Sequence, residues 1–398
     1  MTNLINRRIL LASSLGVLAA SCAHAQNRAL PAAGAIDDEE LSRMLDFRIS
    51  RQRAANAAIV ATLSSSSRHF QTARFSGVKG NYPLGGDTIF EIASLTKIFT
   101  ALLLGVEVVE GRMKVKDPLQ DYLPYGVTAP SFEGRPITLL DLATHGSALP
   151  LRPNNLVNPA ADAPDKYAGY TLDQLYRGLP DYQLSYAPGS RFQYSNLAFA
   201  LLGQAIARRE NMNYADVLQK RVINPLGLSD TSLVEDPNKA ARRAQGYGLY
   251  LEPVSPGGES ALSPAYGLRS TADDLLTFLD LFLNDRGPID LVKAAHLMLT
   301  IDRPGENDTT RMALGWRRTV VHGETFYWSN GSADDARTFM GFNSTRRLGV
   351  VALADAASGG GLDDIGMKVL DPQQEFDAKI VPAPQFIDLP EEILLRAT

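Results

Sequence analysis

The spacing of apolar positions along this chain changes twice. Ala57 to Leu63 and His69 to Gly77 are short apolar runs separated by Ser64 to Ser67, which predicts an early hairpin. From Ser94 the spacing turns helical: Leu95, Ile98, Phe99, Leu102, Leu103 and Val106 fall on one side, and Gly111 follows as a C-terminal stop. A buried helix is therefore expected over 94–109. Residues 113–190 are rich in Pro, Gly and Asp and predict long connections, with short helical pieces at 138–143 and 171–178. Helical spacing returns at 196–209, 214–222 and 271–283, the last opened by a Ser270 or Thr271 cap. Four short runs, 315–321, 325–328, 338–342 and 349–353, then predict strands separated by turns. Strands near both chain ends with helices between them predict an α+β fold, the ends sharing a sheet and an all-α region inserted between them.

A chain of 398 residues exceeds the usual size of one domain, so one very large domain or two co-folded units is expected. Hydrophobic residues at 45% and charged residues at 21% exclude a disordered, collagen-like or coiled-coil chain. A net charge of -5 gives no pull towards a polyanion, so nucleic acid is not an expected partner.

The first 25 residues read as an export segment: Arg7 and Arg8, an apolar stretch from Ile9 to Ala20, then Ala23-His24-Ala25 before Gln26. Cleavage after Ala25 and a periplasmic or secreted product are expected. A degenerate twin-arginine signal around Arg7-Arg8 ranks below a general secretory signal, and lipidation at Cys22 ranks below both. Cys22 is the one cysteine, so the mature protein would hold no disulfide, thiol nucleophile or cysteine metal site. The remaining histidines, His69, His145, His296 and His322, lack metal-ligand spacing, and no cofactor is expected. After residue 25 no apolar run reaches the length that spans a bilayer, and Leu348 to Ala354 suits a buried strand.

The chemistry starts at Ser94-Leu95-Thr96-Lys97. A serine hydroxyl is a poor nucleophile until a base takes its proton, and residues three apart on a helix are neighbours, so Lys97 can reach Ser94. Seven uncharged residues follow Lys97, and desolvation there would push the amine towards a usable base. Taken alone, S-x-x-K is a weak signal, since Ser76-Gly77-Val78-Lys79 matches equally well, and a helix cap beside a snorkelling lysine explains Ser94 and Lys97 about as well. Tyr194-Ser195-Asn196 adds a phenol that can relay protons and an amide that can orient both the lysine and a substrate carbonyl. An ordinary buried tyrosine beside a helix cap is the plainer account of that motif by itself. No G-x-S-x-G is present, which argues against an α/β-hydrolase.

The two motifs together resemble the serine β-lactamase and penicillin-binding DD-peptidase superfamily, in its class C branch. Ile137 to His145, Ala187-Pro188-Gly189-Ser190, Asn224-Pro225-Leu226-Gly227 and Gly267-Leu268-Arg269-Ser270-Thr271 are similar to that branch, over roughly residues 54 to 355. Ser147 to Pro150 and Tyr194 to Phe199 are especially similar to periplasmic DD-carboxypeptidase/endopeptidases that bind penicillin. The resemblance implies an antiparallel sheet flanked by helices with an inserted all-α domain. Its parts would be about 40–112 and 310–375 for the α/β portion and about 113–309 for the helical one, within a single hydrolase domain over 26–398. It also implies Ser94, Lys97, Tyr194 and Asn196 as catalytic residues, with the backbone N–H groups of Ser94 and Ser332 as an oxyanion hole. His145 falls in a structural turn of that family, and Trp316 and Trp328 are expected to pack the sheet.

One departure stands out. Where the family carries Lys-Thr-Gly on an edge strand, this chain has Ser329, Asn330 and Gly331. The cation that meets a substrate carboxylate is absent, and a charge-assisted bond is about twice as strong as a neutral one. Asp334 and Asp335 follow, with Arg337 as a candidate compensating charge among the substrate-binding residues. The expected function is an acyl-enzyme serine hydrolase acting on peptidoglycan stem peptides or β-lactams. A carboxylesterase for small neutral esters is the alternative favoured by Ser329, and a non-catalytic penicillin-binding module is a third. On the Ser329 argument, neutral esters should be better substrates than carboxylate-bearing ones.

Overall fold

In the computed structural model, which describes residues 36–51, 54–65, 67–76, 82–156, 167–357 and 361–378, the first element is helix α1 (Asp38–Asp46). The Asp37 carboxylate caps it, accepting from the Glu40 N–H at 2.6 Å. The expected export segment over 1–25, Cys22 and the Gly77, Val78 and Lys79 of the second S-x-x-K lie outside the described residues.

The expected hairpin is β1 (Ala57–Ser64) and β2 (Ser67–Arg74), paired from Ala57↔Arg74 to Ser64↔Ser67. After a two-residue strand, β3 (Phe90–Glu91), the chain turns through a 3₁₀ segment, Ala93–Leu95, into α2 (Thr96–Val109). Every residue of α2 from Thr96 to Glu107 is buried, the signature of a central rather than a surface helix. Small β4 (Ser131–Phe132) and β5 (Arg135–Pro136) precede α3 (Leu139–Ala143), which Thr138 and Asp141 close with a capping box. Thr171 and Gln174 cap α4 (Leu172–Gly178) in the same way. Next come α5 (Asn196–Arg209), α6 (Tyr214–Leu218), α7 (Asn224–Leu226), β6 (Arg269–Ser270), which pairs with β3, α8 (Ala272–Asn284) and α9 (Ile289–Thr300).

Strands β7 (Arg303–Asn307), β8 (Thr310–Met312), β9 (Arg317–Val321), β10 (Glu324–Ser332), β11 (Arg337–Asn343) and β12 (Leu348–Ala354) lead to α10 (Asp363–Leu370). They join the first hairpin in one antiparallel sheet, ordered β2-β1-β12-β11-β10-β9-β8-β7. Because β1 pairs with β12, Ala58 opposite Ala354, strands far apart in sequence are neighbours and the helices between them form an insertion. The fold is α+β, as expected.

Side chains alternate across this sheet. Ile59, Ala61, Leu63, Val351 and Leu353 join the core around α2 and α8, whereas Val60, Val350 and Ala352 face Leu45 of α1 and Ile365 and Val369 of α10. Both faces are covered, which is why β12 reads as an unbroken apolar run. Phe99 of α2 stacks on Phe278 of α8 with ring centroids 4.0 Å apart, a contact worth about 0.5–1.5 kcal/mol beyond its buried area. Gly105 lets α9 approach closely, since a Cβ there would lie 3.1 Å from that of Ala294. Among the described residues no helix is long and apolar enough to cross a membrane.

Candidate active site

Ser94 sits in the 3₁₀ turn between β3 and α2, two residues earlier than a regular helix start. Ala93, just before it, has φ 48°, a left-handed conformation that costs a non-glycine residue roughly 1–2 kcal/mol. Four hydrogen bonds hold the turn there. The Thr96 hydroxyl donates to Ala93 O at 2.7 Å and accepts from Leu268 N–H at 3.1 Å; the Thr338 hydroxyl donates to Ile92 O at 3.1 Å; and Ile92 N–H donates to Leu268 O at 3.0 Å. Gly331 of β10 presses on the same turn, where a Cβ would lie 2.8 Å from Ile92 O and 3.0 Å from Ala93 Cβ. Ser94 itself remains half-buried, with its hydroxyl reachable.

Two side chains converge on that hydroxyl. Lys97 Nζ donates to Ser94 Oγ at 2.9 Å and to Ala265 O at 2.7 Å, while Tyr194 OH donates to Ser94 Oγ at 2.8 Å. Lys97 is 2% exposed. Burial pushes its ammonium below the ordinary lysine value, Tyr194 opposes that, and the Arg317 guanidinium adds to it. Burial alone would raise the Tyr194 phenol, but Lys97, the Ser94 hydroxyl and Arg317 outweigh burial and bring it below its ordinary value. Such a pair can take and return the serine proton.

His145 supports this group without joining it. Its ring stacks on Tyr194 at 4.3 Å, and its Nδ1 accepts the Ser195 N–H at 3.1 Å, which puts the proton of the neutral ring on Nε2. Burial, Lys97 and Arg317 all hold it well below the usual histidine value, so it is uncharged. It stands in a turn with φ 55°, and no hydrogen bond joins it to Ser94 or Lys97 among the described residues.

The other expected residues are placed as follows. Asn196 is the first residue of α5; its N–H donates to Leu151 O at 3.0 Å, and its buried Oδ1 accepts no hydrogen bond among the described residues. Ser329 is buried. Asn330 donates through Nδ2 to Asp363 Oδ2 at 2.5 Å. Ser329 to Ser332 pair with β11 alone, because β9 stops pairing at Trp328↔Arg317, so this end of β10 presents an open edge. Ser332 is exposed on it. Arg337 spends its charge inside its own turn, donating to Ala333 O at 2.9 Å and Ala336 O at 3.0 Å. Asp334 is exposed, whereas Asp335 is buried near Glu91, Arg243 and Arg269, and burial with the Glu91 charge pushes it up to about 7. Trp316 is fully buried, and Trp328 packs on the sheet.

Sequence reasoning did not single out Ala265, Thr96, Thr338 or Arg317. Ala265 acts through a backbone carbonyl, which leaves no side-chain signal. Arg317 has a faint one, a cation opening a strand directly after a buried tryptophan.

The family described as Beta-lactamase matches residues 38–367. The chain is 32% identical over 243 residues to the D-alanyl-D-alanine-carboxypeptidase/endopeptidase AmpH of Escherichia coli (strain K12), covering 58% of this chain and 60% of that protein. A Beta-lactamase of Escherichia coli (strain K12) is 28% identical over 274 residues, 67% of each chain. Two solved structures share the fold. The class C beta lactamase from Rhodobacter sphaeroides gives a TM-score of 0.70 at 21% identity, covering 83% of this chain and 97% of that one. The Beta-Lactamase/D-Alanine Carboxypeptidase from Pseudomonas syringae gives 0.71 at 21% identity, covering 85% and 99%.

Proposed function

The chain belongs to the beta-lactamase family, and from that premise we propose that it is a serine hydrolase working through an acyl-enzyme on Ser94. Its substrates on this reading are D-alanyl-D-alanine stem peptides of peptidoglycan and β-lactams. The observation that carries it is the pair of hydrogen bonds meeting at Ser94 Oγ, from a buried, pKa-lowered Lys97 and from Tyr194.

The steps follow from these positions. Neutral Lys97 keeps Ala265 O as the acceptor for one N–H and turns its lone pair towards Ser94. Ser94 Oγ attacks the carbonyl carbon as its proton passes to Lys97, with Tyr194 sharing the transfer. The tetrahedral oxyanion lies between the N–H groups of Ser94 and Ser332, the latter on the open edge of β10. The C–N bond breaks, the amine leaves with the proton returned through Tyr194, and water then releases the acyl group from Ser94. Asn196 Oδ1, buried without a partner among the described residues, is the acceptor available to orient a substrate amide.

A second reading, a carboxylesterase on the same machinery, is favoured by Ser329 where the family carries lysine. Export fits both readings: stem peptides lie outside the cytoplasm, and residues 1–25 have the pattern of a cleaved leader. The deciding experiment is intact-mass spectrometry after incubation with a penicillin and with a p-nitrophenyl ester. Wild type should gain one acyl mass and Ser94→Ala none. Labelling of neither reagent on wild type, or equal labelling of Ser94→Ala, refutes the proposal.

A further inference from the structure

The open edge of β10 begins where β9 leaves it, and the residue at that point is Arg317. Its guanidinium carbon lies 4.9 Å from the centre of the Trp328 ring and 5.9 Å from that of Tyr194, and its Nη1 is 3.4 Å from Asn330 Oδ1. Its charge is felt at Lys97, Tyr194 and His145, which places it beside the reacting serine rather than at a remote surface. Four other arginines of the chain have partners of their own. Arg337 closes its own turn, Arg269 pairs with Glu91 at 2.9 Å, Arg243 pairs with Glu235, and Arg303 pairs with Asp141 at 2.8 Å.

We propose that Arg317 is the group that binds a substrate carboxylate in this cleft, in place of the lysine missing at Ser329, and that Glu306 holds it until substrate arrives. Arg317 Nε donates to Glu306 Oε1 at 2.6 Å, and Glu306 is its ion-pair partner among the described residues. The Arg317 side chain is 11% exposed and that of Glu306 36%, so solvent reaches the pair from the Glu306 side, where an incoming carboxylate can replace one acceptor oxygen with another. A guanidinium offers two parallel N–H groups to a carboxylate, and Trp328 fixes its plane. The cleft therefore accepts anionic acyl donors despite Ser329, reversing the preference for neutral esters that Ser329 alone implied.

This inference rests on the Ser94 acyl-enzyme reading, and the test keeps the two apart. Ser94 acylation rates are measured for benzylpenicillin and for its methyl ester, which differ in the carboxylate charge and little else, with a p-nitrophenyl ester as a control. In Arg317→Gln the acid-to-methyl-ester ratio should fall about tenfold or more, as expected for loss of a charge-assisted contact. Arg317→Lys should recover part of it, and Glu306→Gln should raise the ratio above wild type. Any change in Lys97 basicity acts on both penicillins and cancels. An unchanged ratio in Arg317→Gln, with Ser94 still labelled by the p-nitrophenyl ester, overturns the role of Arg317 and leaves the acyl-enzyme standing. Should Arg317→Gln not fold, an unchanged ratio in Glu306→Gln overturns the exchange between substrate and Glu306. Wild type labelled by none of the three probes overturns the acyl-enzyme reading instead.

Discussion

On the acyl-enzyme proposal, replacing Lys97 with methionine should slow acylation of Ser94 and leave the protein at least as stable, because a lysine amine is expensive to bury. Lys97 is 2% exposed and is held by Ser94 Oγ at 2.9 Å and Ala265 O at 2.7 Å. Methionine nearly matches its length without the charge. Loss of a positioned general base costs about 10² to 10⁴ in rate, which is about 2.7–5.5 kcal/mol of barrier. On the stability side, Ala265 O loses its donor at about 1–3 kcal/mol. Against that, an ammonium whose burial carries a penalty of several kcal/mol is gone. The sign of the pH dependence follows from the lowered folded value of Lys97. Between that value and the unfolded value of about 10.4, the unfolded chain binds more protons than the native one, so wild type gains stability as pH rises. Below the folded value the full desolvation penalty weighs on the native state. The advantage of Lys97→Met is therefore largest at low pH and shrinks towards about pH 10.4. Acylation kinetics with a fluorescent penicillin, together with thermal melts across that range, test both halves. Acylation within tenfold of wild type would point to a different base. Parallel stability curves for the two proteins would mean that Lys97 does not titrate low in the fold.

Two further substitutions probe the surroundings of the serine. Tyr194→Phe keeps the ring on His145 but removes the hydroxyl 2.8 Å from Ser94 Oγ; acylation should fall about tenfold to a hundredfold with little change in melting, measured by the same labelling kinetics. Gly331→Ala puts a Cβ 2.8 Å from Ile92 O, so the nucleophile turn must shift; a loss of about 1–3 kcal/mol in denaturant titrations, with acylation down at least about tenfold, is the expected pair of results.

The elements most legible in the sequence were those whose ends are marked by side chains. Helix α5 runs over the expected 196–209 because Ser195 caps it, its hydroxyl accepting the Ala198 N–H at 3.0 Å. Thr138, Thr171 and Thr271 mark the starts of α3, α4 and α8 in the same way. Helix α2 begins later than expected because Ser94 is not a cap; the left-handed Ala93 forces a 3₁₀ turn first. Helix α1 was not anticipated, being strongly polar with only Leu41, Met44 and Leu45 buried, and neither was α9, whose contact with α2 is made through Ala294 against Gly105. The polar strand β7 shows no alternation to read. At the site, Ser94 and Lys97 are joined by helical spacing and could be paired from sequence. The contact from Lys97 to Ala265 crosses 168 positions, and no local pattern encodes it. Arg317 likewise enters through sheet register, which depends on where β9 stops pairing.

That dependence on register explains why a strained turn can carry the nucleophile. An isolated alanine in the left-handed region would relax, since its cost of roughly 1–2 kcal/mol matches or exceeds the net value of a typical hydrogen bond, about 0.5–1.5 kcal/mol. Ala93 is held instead by bonds from three separate stretches of chain: Thr96 on its own helix, Leu268 just before β6, and Thr338 on β11. No single loss frees the turn, so Ser94 stays fixed relative to both the helical insertion that supplies Tyr194 and the sheet edge that supplies Ser332 and Arg317. Removing the Thr338 hydroxyl takes away the one of these bonds that comes from the sheet, while Thr96 and Leu268 still hold the turn and Lys97 and Tyr194 stay on the serine oxygen. On the proposed mechanism, the groups that move the proton and the groups that meet the substrate are thus tied to Ser94 by different bonds.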